Sequence, residues 1–143
     1  MRKLVTVPLL ALAFAISSRA DIPVLKEGDC WTYETRPCED GSFLVIRKIE
    51  TSPEGEVVHI SIFGLRIKRS TASNGSTDRI QHLPIFARAL RASLKEKVQK
   101  TIPEIDWARG YRSWSEAHAG VFNEPVSKCV AITEQVLDRG TKH

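Results

Sequence analysis

Three cysteines and four histidines are the side chains of this 143-residue chain best suited to covalent or metal chemistry. The thiols are Cys30, Cys38 and Cys129, and the imidazoles are His59, His82, His118 and His143. A zinc-binding helix needs two histidines four apart, and a zinc knuckle needs a Cys-x-x-Cys pair. Neither spacing occurs. Glu116 and His118 stand two apart, which on a helix turns their side chains about 200° from one another. Phosphate loops, G-x-S-x-G elbows and dinucleotide fingerprints are also absent. The sequence therefore predicts no metal site and no cofactor.

Nucleophilic catalysis by cysteine is the sharpest enzymatic option. Gly28-Asp29 ahead of a strand, the stretch Val58-His59-Ile60-Ser61-Ile62-Phe63-Gly64, and Cys129 on a late helix together resemble a circularly permuted papain-like hydrolase. That resemblance implies Cys129 as nucleophile and His59 as its base, acting on peptide or acyl bonds of the cell envelope. A thiol needs a base or a helix N-terminus beside it to become thiolate at neutral pH. Cys129 falls early in its helix, which favours the idea. It also shares an apolar face with Val126 and Val130, where a thiol is usually inert packing. The reverse order, Cys30 before His59, is excluded because that cysteine should open a helix, and Cys30 opens a strand.

Trp107, Tyr111 and Trp114 recur at i, i+4 and i+7, one face of a helix. Such a stripe is either a stacking platform for a sugar or peptide, or a set of rings buried against a sheet. Burial is favoured in a small domain with few aromatics, and these three are the binding candidates. The cysteines allow three single disulfides. Bridged Cα atoms lie within about 7 Å. Strand from Cys30 to Thr35 carries the chain about 17 Å away, and three residues return it by about 10 Å at most. A Cys30–Cys38 bridge is thus marginal. Cys129 stands as an alternative partner for either, and three free thiols remain open.

The elements that must position these residues follow from hydrophobic period. Trp31, Tyr33 and Thr35 alternate with more polar neighbours, which predicts a first strand. Phe43 to Ile49 and Val57 to Ile67 read as the second and third strands, joined by the turn Ser52-Pro53-Glu54-Gly55. Val58, Ile60 and Ile62 share one parity, whereas Leu65 and Ile67 have the other. A bulge at Gly64 would return them to the same face. Asn74-Gly75 marks a further turn, and Arg79 to Ile85 a fourth strand that Pro84 confines to an edge. Phe86, Leu90, Leu94 and Val98 recur every four residues and predict a helix that ends before Pro103. A second helix carries the aromatic stripe and stops at Gly120. A third opens near Asn123 and Pro125 and stops at Gly140. The expected fold is α+β: an antiparallel meander of three to four strands followed by about three helices packed on one face.

Residues 1–20 read as a cleaved export signal. Arg2 and Lys3 precede the uncharged apolar run Leu4–Ile16, and Ser18 and Ala20 suit a signal peptidase. The run is shorter than the about 20 apolar residues of a membrane span. Residues 21–143 then form one domain with no transmembrane segment. The full chain carries 21 bases and 17 acids, for +4. The signal holds Arg2, Lys3 and Arg19 and no acid, so the remainder has 18 bases against 17 acids. That balance gives no reason to expect nucleic acid as a partner.

The pattern Gly28-Asp29-x-Trp31-Thr32-Tyr33-x-Thr35-Arg36-Pro37, followed by Val57-Val58-His59-Ile60-Ser61 and Leu90-Arg91-Ala92-Ser93-Leu94, resembles an uncharacterised family of small exported proteins of Gram-negative bacteria. The resemblance spans roughly Gly28 to Val98 and implies the periplasm, or secretion, but no activity. The function expected from the whole sequence is non-catalytic binding of a protein or envelope partner, as an inhibitor, immunity-type or accessory protein. The Cys129/His59 hydrolase is the alternative.

Overall fold

The computed structural model describes residues 22–69 and 75–139. The export signal expected at residues 1–20, and Asn74, Gly140 and His143, lie outside them. Strands β1 (Cys30–Tyr33), β2 (Phe43–Ser52), β3 (Gly55–Lys68) and β4 (Ser76–Phe86) form the expected antiparallel meander. Helices α1 (Ala87–Ser93), α2 (Trp107–Glu116) and α3 (Val126–Arg139) complete an α+β fold. A fifth strand, β5 (Leu94–Val98), joins the sheet beside β1, giving the order β4-β3-β2-β1-β5.

β5 replaces the second half of the helix expected from Phe86 to Val98. The helix ends when Leu94 takes an extended backbone (φ −70, ψ 144). Leu94 then pairs with Tyr33, Lys97 with Trp31 and Val98 with Cys30. A spacing of four returns to the same face in a helix and in a strand alike. The apolar pattern therefore could not separate the two, and the open edge of β1 decides for strand. Ser93 is the joint. Its carbonyl accepts from Glu34 N–H, and its Oγ accepts from Val126 N–H at the start of α3. Asn123, read as that helix's cap, instead accepts a bond from Arg88.

One face of the sheet carries the main core. Leu44, Ile46, Val58, Ile60 and Ile62 pack against Ala87 and Leu90 of α1 and Val126, Cys129 and Val130 of α3. Leu65 and Ile67 join them because the β3–β4 register slips between Phe63 and Ile67. Gly64 turns that slip at φ +77, where an added Cβ would lie 3.0 Å from the Ser42 backbone. Strand alternation sends His59 and Ser61 to the opposite face. There Cys30, Val45 and Phe63 form a smaller cluster under Ile102 and Ile105, and α2 covers the rest. The helices thus occupy both faces rather than the one expected, because Tyr111 and Trp114 of α2 pack on His59 while α1 and α3 pack on the main core.

Candidate functional site

Two bulges shape the face beneath α2. The β2–β3 register slips between Ile46 and Lys48, and the β3–β4 register between Ile60 and Ile62. An extra residue in one strand re-aims the side chains beside it. Lys48 is brought opposite His59, and His82 comes up alongside the same ring. At the slips, Arg47 donates to Ser61 Oγ at 2.9 Å, and Ser61 donates to the Gln81 carbonyl at 2.7 Å.

His59 is fully buried and lies at the centre of a hydrogen-bonded chain. Tyr111 OH donates to Glu50 Oε2 at 3.0 Å. Glu50 Oε1 lies 2.9 Å from His59 Nε2, and His59 Nδ1 lies 2.8 Å from His82 Nε2. Burial pushes the Glu50 carboxyl up, but hydrogen bonds from His59 and Tyr111 outweigh it and hold the group below its usual range. Burial depresses His59 despite its carboxylate neighbour. Burial, and then the nearness of His59, depress His82 to about 4. Burial, and then Glu50, raise Tyr111, so its phenol stays protonated and donates.

These states fix the tautomers at neutral pH. The ionised Glu50 only accepts, so His59 carries its proton on Nε2. His59 Nδ1 must then accept, and His82 donates from Nε2. His82 Nδ1 keeps a lone pair with no hydrogen-bond partner among the described residues.

The chain is also what holds α2 to the sheet, since no residue of that helix is fully buried. Asp106 caps it by accepting from Arg109 N–H at 3.1 Å. The Tyr111 and Trp114 rings stand edge-on to His59, with centroids 4.8 and 4.7 Å away. Gly110 lets the helix come this close, because a Cβ there would lie 2.6 Å from His82 Cβ. Of the aromatic stripe, Tyr111 and Trp114 are therefore tied into the histidine cluster. Trp107 contacts Tyr111 with centroids 6.3 Å apart and stays half-exposed.

Where His82 reaches the outer edge of β4, a cleft of about 330 Å³ opens. Arg69, Arg79, His82, Gly110, Thr133 and Leu137 line it. A separate hollow of about 630 Å³ is lined by Arg66, Lys68 and Asp78.

The structure does not bring Cys129 and His59 together. Cys129 is fully buried among Val58 and Ile60 on the core face, and His59 faces the other way. The Cys129 thiol lies 3.4 Å from the Glu124 carbonyl, and burial pushes it up to about 11. Burial also raises Cys30. Cys38 is the exposed thiol, in a turn with φ 67. All three are unpaired, and Cys30 and Cys129 lie on opposite faces of the sheet.

Sequence reasoning singled out His59 but gave it the wrong neighbours, because His82 and Glu50 reach it only through the bulges. One signal was present: His59 interrupts the apolar run from Val57 to Phe63, and Glu50 and His82 sit on the two flanking strands. Among the described residues no three metal-ligating side chains cluster, and no helix is long and apolar enough to cross a membrane. No protein-family model, curated protein or solved structure matches this chain.

Proposed function

We propose that this is a small exported binding protein of inhibitor, immunity or accessory type. It engages a protein or envelope partner through the cleft along the outer edge of β4. The observation that carries this reading is the set of Arg69, Arg79 and His82 around a cleft beside that edge. Along Thr77–His82 the edge pairs with nothing outside the sheet among the described residues. The export signal expected at residues 1–20 supports a periplasmic or secreted setting.

The hydrolase reading finds no support in the geometry. Among the described residues Cys129 has no base beside it, and burial keeps its thiol protonated. Both nitrogens of His59 are taken, by Glu50 and His82. An imidazole titrating near 4 is a weak base at neutral pH.

The test is site-specific photocrosslinking in producing cells. A photoreactive residue is placed at Gln81 on β4 or at Lys95 on the far edge strand β5, both exposed. The expected result is one discrete adduct from Gln81 that disappears with Arg79→Glu, and none from Lys95. No adduct from Gln81, or the same adducts from both edges, would overturn the reading.

A further inference from the structure

The two edges of the sheet are protected unequally. β5 is five residues long and carries exposed Lys95, Glu96 and Lys97, a common guard against strand addition. β4 is eleven residues long and ends in buried Leu83, Pro84, Ile85 and Phe86. Its far end is already covered. Phe122 forms a parallel bridge with Ile85, donating to the Pro84 carbonyl and accepting from Phe86 N–H. The chain itself thus begins a sixth strand beside β4 and, among the described residues, leaves the line open along Thr77–His82.

The two sides of that open line differ in chemistry. On the core side stand Ile80, and Thr133 and Leu137 of α3. On the other side stand Arg79, opposite Phe63, and His82. A strand laid here sends alternate side chains to each side. One set meets apolar surface, and the other meets cationic surface. The flanking segments 65–69 and 75–79 hold Arg66, Lys68, Arg69 and Arg79 against Asp78, which pairs with Arg79 at 2.8 Å, and Glu134 of α3, which accepts from Lys68 N–H.

We infer that the partner contributes an extended acidic segment, apolar and carboxylate residues alternating, which adds to β4 as a strand beside Thr77–His82. This rests on the binding reading above and names the chemistry of its partner. Main-chain hydrogen bonds supply affinity, and the two unlike sides supply register and direction. The carboxylates face guanidinium groups, so binding weakens as salt rises.

The test uses a fluorescein-labelled octapeptide of alternating Asp and Val, read by fluorescence polarisation at low and high salt. The expected result is binding about tenfold tighter than that of an alternating Lys–Val peptide, with the advantage fading in salt. Methylating the peptide's ladder-facing amides should weaken it about tenfold while leaving the protein untouched. Arg79→Glu should do the same without changing the melting temperature. Equal binding of the Asp and Lys peptides, or indifference to amide methylation, overturns the inference. If neither peptide binds but Gln81 still forms its adduct, the binding protein stands and the acidic strand is discarded. If sedimentation shows that the adduct is a second copy of this chain, edge-to-edge pairing replaces the acidic partner.

Discussion

His59 Nδ1 and His82 Nε2 lie 2.8 Å apart on neighbouring strands, and their rings stack with centroids 5.1 Å apart. The pair needs one proton between the two facing nitrogens, and Glu50 sets which nitrogen holds it. The bond is lost only when both imidazoles are protonated and two N–H groups face each other, and burial disfavours the charge on either ring. The arrangement fixes α2 over the sheet and presents His82 to the β4 cleft.

Folding stability should fall as pH drops from about 6.5 toward 4. His82 titrates near 4 in the fold, below the ordinary histidine value of about 6.5. The unfolded chain therefore takes up its proton first, and acid favours unfolding. Stability is full above the unfolded value and is lost as pH falls toward the folded one. The loss from His82 is on the order of 3 kcal/mol, and His59, also depressed, adds in the same direction. Glu50, held low, adds a further loss only at still lower pH. Urea unfolding at pH 7.5 and 5 should show the drop, and His82→Gln should flatten it. An equal slope in the variant contradicts the assignment.

Gly110→Ala should destabilise the protein although alanine is the better helix former. The intrinsic gain is about 1 kcal/mol. Against it, the new Cβ would lie 2.6 Å from His82 Cβ, and overpacking of this kind typically costs about 1–3 kcal/mol. The expected net effect is a small loss of stability with a change in tryptophan fluorescence as α2 lifts. Gly120→Ala, with nothing within 4 Å of the added Cβ, serves as the control.

Thiol labelling of the native protein should modify Cys38 alone, with Cys30 and Cys129 reacting only on unfolding. Mass spectrometry after brief alkylation reads this directly. Cys129→Ala should lower stability by about 1–2 kcal/mol through lost packing and leave partner crosslinking from Gln81 intact. Rapid native labelling of Cys129 would reopen its case as a nucleophile.

Glu39→Gln should be strongly destabilising. Glu39 is 2 % exposed, takes two bonds from Arg36 and accepts the Arg66 N–H at 2.7 Å. Arg36 also reaches Glu134 on α3 at 3.1 Å, so the cluster ties the β1–β2 loop to β3 and α3. Breaking one side of a buried pair costs about 3–5 kcal/mol. Replacing Arg36 by Met and Glu39 by Leu together should cost less than the single change, as read by denaturant midpoints.

Much of the fold was legible in local pattern. The parity switch after Ile62 and the glycine at position 64 marked the bulge that returns Leu65 and Ile67 to the core. The spacing of Trp107, Tyr111 and Trp114 marked α2. β5 was hidden because Leu94 and Val98 are spaced alike for helix and strand, and only the vacant edge of β1 decides. The site was less legible. His59 stood out, but its pairing with His82 depends on register slips in two strand pairs, which no single strand records. Cys129 looked available on its helix, and only the assembled sheet shows it on the opposite face from His59.

The most direct measurement is competition at the β4 edge. Crosslinking from Gln81 is repeated with the alternating Asp–Val octapeptide at saturating concentration. The account predicts that the adduct falls as the peptide fills the cleft, while the Lys–Val peptide leaves it unchanged. An adduct that persists at full strength beside a bound Asp–Val peptide would contradict it.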